Sequence, residues 1–233
     1  MMAIIKAWDF KMNKRRYLYP LLLFLAFSRT ASAQSNPPFW DEVQAIKAYD
    51  KVYQQQPHPI VFVGSSSIRK WGHLQVAFGK YNVLNRGIGG AYINDIIRYL
   101  DDVVVVYHPR QIVLYVGEND ITAANETADT ILNRTERLFK AIRAKMSDVP
   151  VVYIGFKPSP SRDKFVQKTI AANGLIRKFI AGQSKATFVD VFPLMLKNGS
   201  SMPELFVADM LHLNAKGYAI WEKAVKPYLL KPE

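Results

Sequence analysis

Five short apolar runs, none alternating with polar residues and each followed by a helical stretch, constrain this chain more than any other feature. They are Ile60–Val63, Asn82–Asn85, Gln111–Val116, Val151–Gly155 and Thr187–Asp190, each containing valine or isoleucine. A strand with one wet face alternates polar with apolar, whereas a strand covered on both faces has no reason to. The runs therefore predict an α/β fold: a three-layer sandwich built on a five-stranded parallel sheet. Helices are predicted at Asp41–Gln54, Thr127–Met146, Phe165–Ala181 and Ala215–Leu229. The second of these sets Ile131, Leu138 and Ile142 on one side, and Asn214 is placed to cap the last. No internal repeat or second-domain boundary shows, so residues 34–233 read as one domain.

Residues 1–33 read differently. Lys11, Lys14, Arg15 and Arg16 precede the apolar stretch Tyr17–Phe27, and Ala31-Ser32-Ala33 supplies a small-x-small cleavage pattern. That stretch is shorter than the ~20 residues a bilayer crossing needs, so a cleaved signal peptide is expected over an anchor. Met12 is an alternative start, because charged residues before it are unusual for such a leader. The expected location is exported, periplasmic or extracellular, with no stable membrane insertion after cleavage. The leader holds six of the basic residues and one acid, so removing it takes the net charge from +12 to +7. A basic surface attracts anionic polymers or lipids at long range, but scattered lysines that serve solubility are the simpler reading. No nucleic-acid motif is present, and no nucleic-acid partner is expected. The chain has no cysteine, which excludes disulfides, thiolate metal sites and a cysteine nucleophile.

In parallel α/β sheets ligands gather at the carboxyl ends of the strands, which is where chemistry is sought. The first strand leads into Gly64-Ser65-Ser66-Ser67. A hydroxyl there would lie beside a helix amino terminus, which favours developing negative charge; a serine-rich cap is the plainer alternative. The Gly-x-Ser-x-Gly elbow is absent, since Ile68 stands where its second glycine belongs. The second strand leads into Gly87-Ile88-Gly89-Gly90, a tight turn or a close approach to ligand. Its spacing fails the dinucleotide fingerprint, and no cofactor is expected. The third leads into Gly117-Glu118-Asn119-Asp120, where an amide donor could stabilise an oxyanion or merely form a turn. After the fifth, Asp209 and His212 stand three residues apart, close enough for one loop to present both. A carboxylate on one imidazole nitrogen fixes the tautomer that lets the other take a serine proton. His58, His73 and His108 have no comparable partner, and no His-x-x-x-His pair suggests a metal.

Taken together, Gly64-Ser65-Ser66, Gly90, Gly117-x-Asn119-Asp120 and Asp209-x-x-His212 resemble the four sequence blocks of the SGNH hydrolases, or GDSL esterase/lipase family. They occur in the family's order over nearly all of the chain after residue 33. The resemblance implies a flavodoxin-like sheet and an acyl-enzyme reaction without cofactor. It also implies Ser66 as nucleophile, Asp209 and His212 as its partners, and an oxyanion hole of Ser66, Gly90 and Asn119. Ser65 replaces the usual first-block aspartate, so by register alone Ser66 is preferred to Ser65 or Ser67. Through Trp71 the first block looks most like a branch similar to platelet-activating-factor acetylhydrolase subunits. The expected function is an exported serine esterase removing short acyl groups, such as acetyl, from carbohydrates; its partner would be a small-molecule or glycan ester. A lysophospholipase, a non-catalytic glycan-binding protein and a sugar acyltransferase are the alternatives on the same fold. Asn125, Asn133 and Asn198 fit the glycan-acceptor pattern and are read as chance. The loop Lys157–Arg162 is expected to border the pocket.

Overall fold

The computed structural model describes residues 35–231. The leader proposed for residues 1–33 lies outside the described residues. Strands β1 (Ile60–Gly64), β2 (Val83–Gly87), β3 (Gln111–Tyr115), β4 (Val151–Ile154) and β5 (Ala186–Val189) form one sheet in the order β2-β1-β3-β4-β5. Every pairing in it is parallel. In sequence order the helices are α1 (Trp40–Val52), α2 (Ser66–Arg69), α3 (Leu74–Ala77), α4 (Ile93–Arg98) and α5 (Leu100–Val103). They continue as α6 (Glu118–Thr122), α7 (Ala128–Lys145), α8 (Val166–Ala181) and α9 (Ala215–Val225).

The absence of alternation in the strands has a direct cause. Val61, Val63, Ile112, Leu114 and Tyr153 point into one core, with Ile131, Leu138 and Ile142 of α7 and Ala172, Ile176 and Ile180 of α8. Their neighbours Ile60, Phe62, Val113, Tyr115, Val152 and Ile154 point into a second, with Ile68, Trp71, Leu74, Tyr218 and Trp221. Both faces are buried, so both sets of positions are apolar. The three-layer reading and the predicted stripe of α7 hold.

Some boundaries differ from the sequence expectation. The last helix stops at Val225 and continues as a single 3-10 turn, Lys226–Tyr228. Pro227 lacks the N–H that would continue the α-helical ladder. Strand β2 starts one residue late, because Asn82 adopts a left-handed conformation (φ 47°), and runs on to Gly87 paired with Gly64. A small antiparallel hairpin, β6 (Leu196–Lys197) with β7 (Ser200–Ser201), was not anticipated. Asn198 and Gly199 at φ 52° and 81° turn it, as the primed hairpin turns require.

The register sets the site. Gly64 lies level with both Gly87 and Tyr115, so β1, β2 and β3 end together. This edge lies at the point where the strand order reverses, the position where α/β sheets open a crevice.

Candidate active site

The serine turn is built by close packing. A Cβ on Gly64 would stand 1.9 Å from the Tyr115 carbonyl oxygen, so only glycine lets β1 leave the sheet here. Ser65 then starts α2 without capping it by its side chain, which removes the cap reading for that serine. Ser65 and Ser67 are buried, and Ser66 alone of the three is partly open. The turn is braced from outside: Asn85 Nδ2 donates to the Ile68 carbonyl (2.7 Å), its Oδ1 accepts from the Gly87 N–H (3.0 Å), and the Tyr218 hydroxyl donates to the Ser67 carbonyl (2.8 Å). Ser66 sits at the first position of α2, and no acceptor among the described residues takes its N–H.

The acid–base loop is pinned at its base by a bridge between Phe206 and Leu213 and by the Val207 N–H donating to the His212 carbonyl (2.9 Å). Between them Met210 is held at φ 55°, a left-handed conformation that turns the chain back on itself. Asp209 Oδ1 accepts from the N–H groups of Leu211 and His212, both at 2.9 Å, which leaves Oδ2 facing His212 Nδ1 at 2.6 Å. His212 Nε2 lies 2.9 Å from Ser66 Oγ. Partial burial acts to raise the Asp209 pKa, but the hydrogen bonds from the His212 ring and the two backbone N–H groups hold the carboxyl far below the usual carboxylate range. Lys70 Nζ stands 3.3 Å from the same Nδ1. An N–H already donated to Asp209 cannot accept from an ammonium, so this approach places positive charge beside the imidazole without forming a hydrogen bond. The loop ends where Asn214 caps α9, its Oδ1 accepting from the N–H groups of Lys216 and Gly217.

Gly90 and Asn119 come from the two neighbouring loops. Ile88 N–H donates to the Gly64 carbonyl (2.8 Å), which ties the glycine run to the end of β1. Gly90 is exposed at φ 82°, and its N–H finds no acceptor among the described residues. Asn119 lies in the first turn of α6, half-buried, with Nδ2 donating to the Ala91 carbonyl at 3.0 Å. The structure thus brings Ser66, Asp209 and His212 into one hydrogen-bonded line and ties Asn119 to the residue after Gly90.

Beneath this rim lies a cluster that reading the residues had not resolved. Lys157 Nζ, fully buried, donates to Glu118 Oε1 (2.5 Å) and to Ser159 Oγ (3.0 Å). Tyr115 OH donates to Glu118 Oε2 (2.9 Å), and Ser159 Oγ donates to Oε1 (3.1 Å). Burial resists ionisation of Glu118, but Lys157 and Arg162 overcome it and hold the carboxyl below its ordinary value. Arg162 donates to the Glu118 carbonyl and, through Nη2, to Asn119 Oδ1 (2.9 Å). The loop expected to border the pocket thus supplies Lys157, Ser159 and Arg162.

A serine, an imidazole and a carboxylate in line at one sheet edge form the arrangement of an acyl-transfer site. The family model described as GDSL-like lipase/acylhydrolase matches residues 60–220, which span the serine turn, the glycine run, Asn119 and the acid–base loop. The chain belongs to this family. It is accordingly a carboxylic ester hydrolase. Among curated relatives, the human platelet-activating factor acetylhydrolase IB subunit alpha1 is 25% identical over 181 residues, covering 74% of this chain and 75% of that protein. Among the solved structures that share the fold, two illustrate the likeness. A GDSL-like lipase from Bacteroides thetaiotaomicron superposes with a TM-score of 0.68 at 19% identity, over 80% of this chain and 96% of its own. An acetyl-xylooligosaccharide esterase from Geobacillus does so with a TM-score of 0.60 at 16% identity, over 75% of this chain and 95% of its own. In this GDSL-like acylhydrolase no helix among the described residues is long and apolar enough to cross a membrane.

Proposed function

We propose that this acylhydrolase is an exported serine esterase that removes short acyl groups, acetyl above all, from carbohydrates. Ser66 is the nucleophile, His212 the general base and Asp209 the group that orients it. The observation that carries the reading is the imidazole of His212, held between Asp209 Oδ2 at 2.6 Å and Ser66 Oγ at 2.9 Å. With Nδ1–H committed to the carboxylate, Nε2 is free to accept the serine proton.

The reaction runs in two halves. Ser66 Oγ attacks the ester carbonyl carbon as its proton passes to His212 Nε2, and the carbonyl oxygen becomes an oxyanion. The N–H groups of Ser66 and Gly90 and one hydrogen of Asn119 Nδ2 stabilise that charge. Collapse breaks the bond to the alcohol, which leaves with the proton from His212. Water then attacks the acyl-enzyme, giving its proton to His212, and the acid departs as Ser66 is restored.

Two features support a short acyl group. Among the described residues, no lid-like apolar insertion separates the strands to cover a long chain. Acetyl is also the group named in both the acetylhydrolase and the acetyl-xylooligosaccharide esterase that the chain is similar to. Ser66→Ala should abolish hydrolysis of p-nitrophenyl acetate and labelling by a fluorophosphonate probe; retained turnover would end the assignment. Acetate release across acetylated glycans and lipids, set against long-chain nitrophenyl esters, tests the acyl and alcohol preference. Export is tested by the cell fraction that holds the protein and by the residue at its mature amino terminus.

A further inference from the structure

The geometry points to Arg162 as a positioning residue that sets the Asn119 amide with its N–H groups toward the oxyanion. This rests on the esterase reading above, in which Asn119 Nδ2 is one of the oxyanion donors.

A side-chain amide has one accepting end and one donating end, and turning it over exchanges them. Only the donating end stabilises an oxyanion; the other would set one oxygen against another. A guanidinium donates and never accepts, so whatever faces it must be the oxygen. Arg162 Nη2 donates to Asn119 Oδ1 at 2.9 Å, while Nη1 donates to the carbonyl of the adjoining Glu118. The planar fork therefore holds the backbone and side chain of two successive residues at once. On the far side Nδ2 uses one hydrogen on the Ala91 carbonyl at 3.0 Å and keeps the second for substrate.

Arg162 is itself well placed to do this. Its side chain is 17% exposed, and its N–H donates to the Ser159 carbonyl at 2.8 Å. The N–H of the preceding Ser161 donates to the carbonyl of Met210, in the loop that carries Asp209 and His212, at 3.1 Å. One segment thus joins the acid–base loop to the oxyanion donor. The Glu118 carboxylate is shared by two cations, Lys157 at 2.5 Å and Arg162 Nη1 at 3.8 Å, so one negative charge faces two positive ones and a net positive charge remains. The positive charge left behind the amide polarises its N–H groups, and polarised donors bond more strongly.

The test is a double-mutant cycle on p-nitrophenyl acetate. Arg162→Met should lower kcat roughly tenfold, a fraction of the 10²–10³ that a whole donor is worth, with KM within about twofold. Arg162→Lys, which keeps one donor and the charge, should recover part of that loss. In an Asn119→Ala background, Arg162→Met should cost less than about twofold, because the group it positions is gone. The same tenfold cost in both backgrounds would overturn the proposal, as would a rise in KM at constant kcat, which would make Arg162 a substrate contact. If Arg162→Met loses its folded circular dichroism signal, the cycle is read with Arg162→Lys, and additivity there overturns it equally. Loss of the esterase reading would show separately, as activity surviving in Ser66→Ala.

Discussion

Two carboxylates serve this site from opposite surroundings. The Asp209 side chain is 44% exposed on a loop, and the groups that bond it lie within three residues of it in sequence. Glu118 is 7% exposed beneath the rim, and Lys157, Ser159 and Arg162 reach it from about forty residues away. Both are held below the usual carboxylate range, Asp209 by hydrogen bonds from its own loop and Glu118 by buried cations. An exposed acid can be changed without disturbing the fold, so its loss should show in the chemistry. A buried acid that neutralises a buried lysine should show its loss in stability first.

The largest effect should fall on the exposed member. Asp209→Asn keeps an oxygen for the Leu211 and His212 N–H groups but offers an amide to Nδ1, favouring the wrong imidazole tautomer. Turnover of p-nitrophenyl acetate should fall by roughly 10⁴, as for the same change in a serine protease triad, while the thermal midpoint stays within a few degrees. A large drop in midpoint would break the contrast by giving Asp209 a structural part.

The same contrast explains what could be read in the sequence. The strands were legible because Val61 and Phe62, or Val113 and Leu114, face different cores and are apolar for the same reason. Asp209 and His212 stood out because both partners lie in one short loop. Choosing Ser66 over Ser65 and Ser67 needed register, and in the structure only Ser66 reaches His212. The loop Lys157–Arg162 could be placed near the pocket, but the burial of Lys157 against Glu118 gave no signal: a lysine in a loop is ordinarily solvated, and its carboxylate lies 39 residues away in sequence. The β6–β7 hairpin did carry one in Asn198-Gly199, but strands of two residues have no hydrophobic pattern to mark them.

On the buried side, Glu118→Gln leaves the Lys157 ammonium without its counter-charge. Breaking one partner of such a pair costs about 3–5 kcal/mol, and urea unfolding near pH 7 should show a loss in that range. The pH dependence has a definite sign. The folded-state pKa of Glu118 is lowered, so its stabilisation is fully present above the ordinary glutamate value of about 4.3 and drains as pH falls through the lower folded value. The gap between wild type and Glu118→Gln should therefore be wide at about pH 6 and narrow in acid. A gap that widened in acid would give the carboxyl the opposite role.

The smallest expected change sharpens the comparison most. A buried ion pair offsets two desolvation costs with one attraction, and replacing both members by neutral groups of similar shape is often close to neutral. Adding Lys157→Met to Glu118→Gln removes the stranded ammonium, sets an unbranched apolar side chain where the ammonium stood over the Tyr115 and Phe206 rings, and leaves the amide to accept from Tyr115 OH. The double variant should regain at least half of the stability lost in Glu118→Gln. It should also keep most of the wild-type kcat, because Arg162 still bonds the Glu118 carbonyl and Asn119 Oδ1, neither of which is altered. Recovered stability with kcat still depressed would mean that the Lys157–Glu118 pair acts on the reaction directly, and the division between an exposed acid for chemistry and a buried one for the fold would fail.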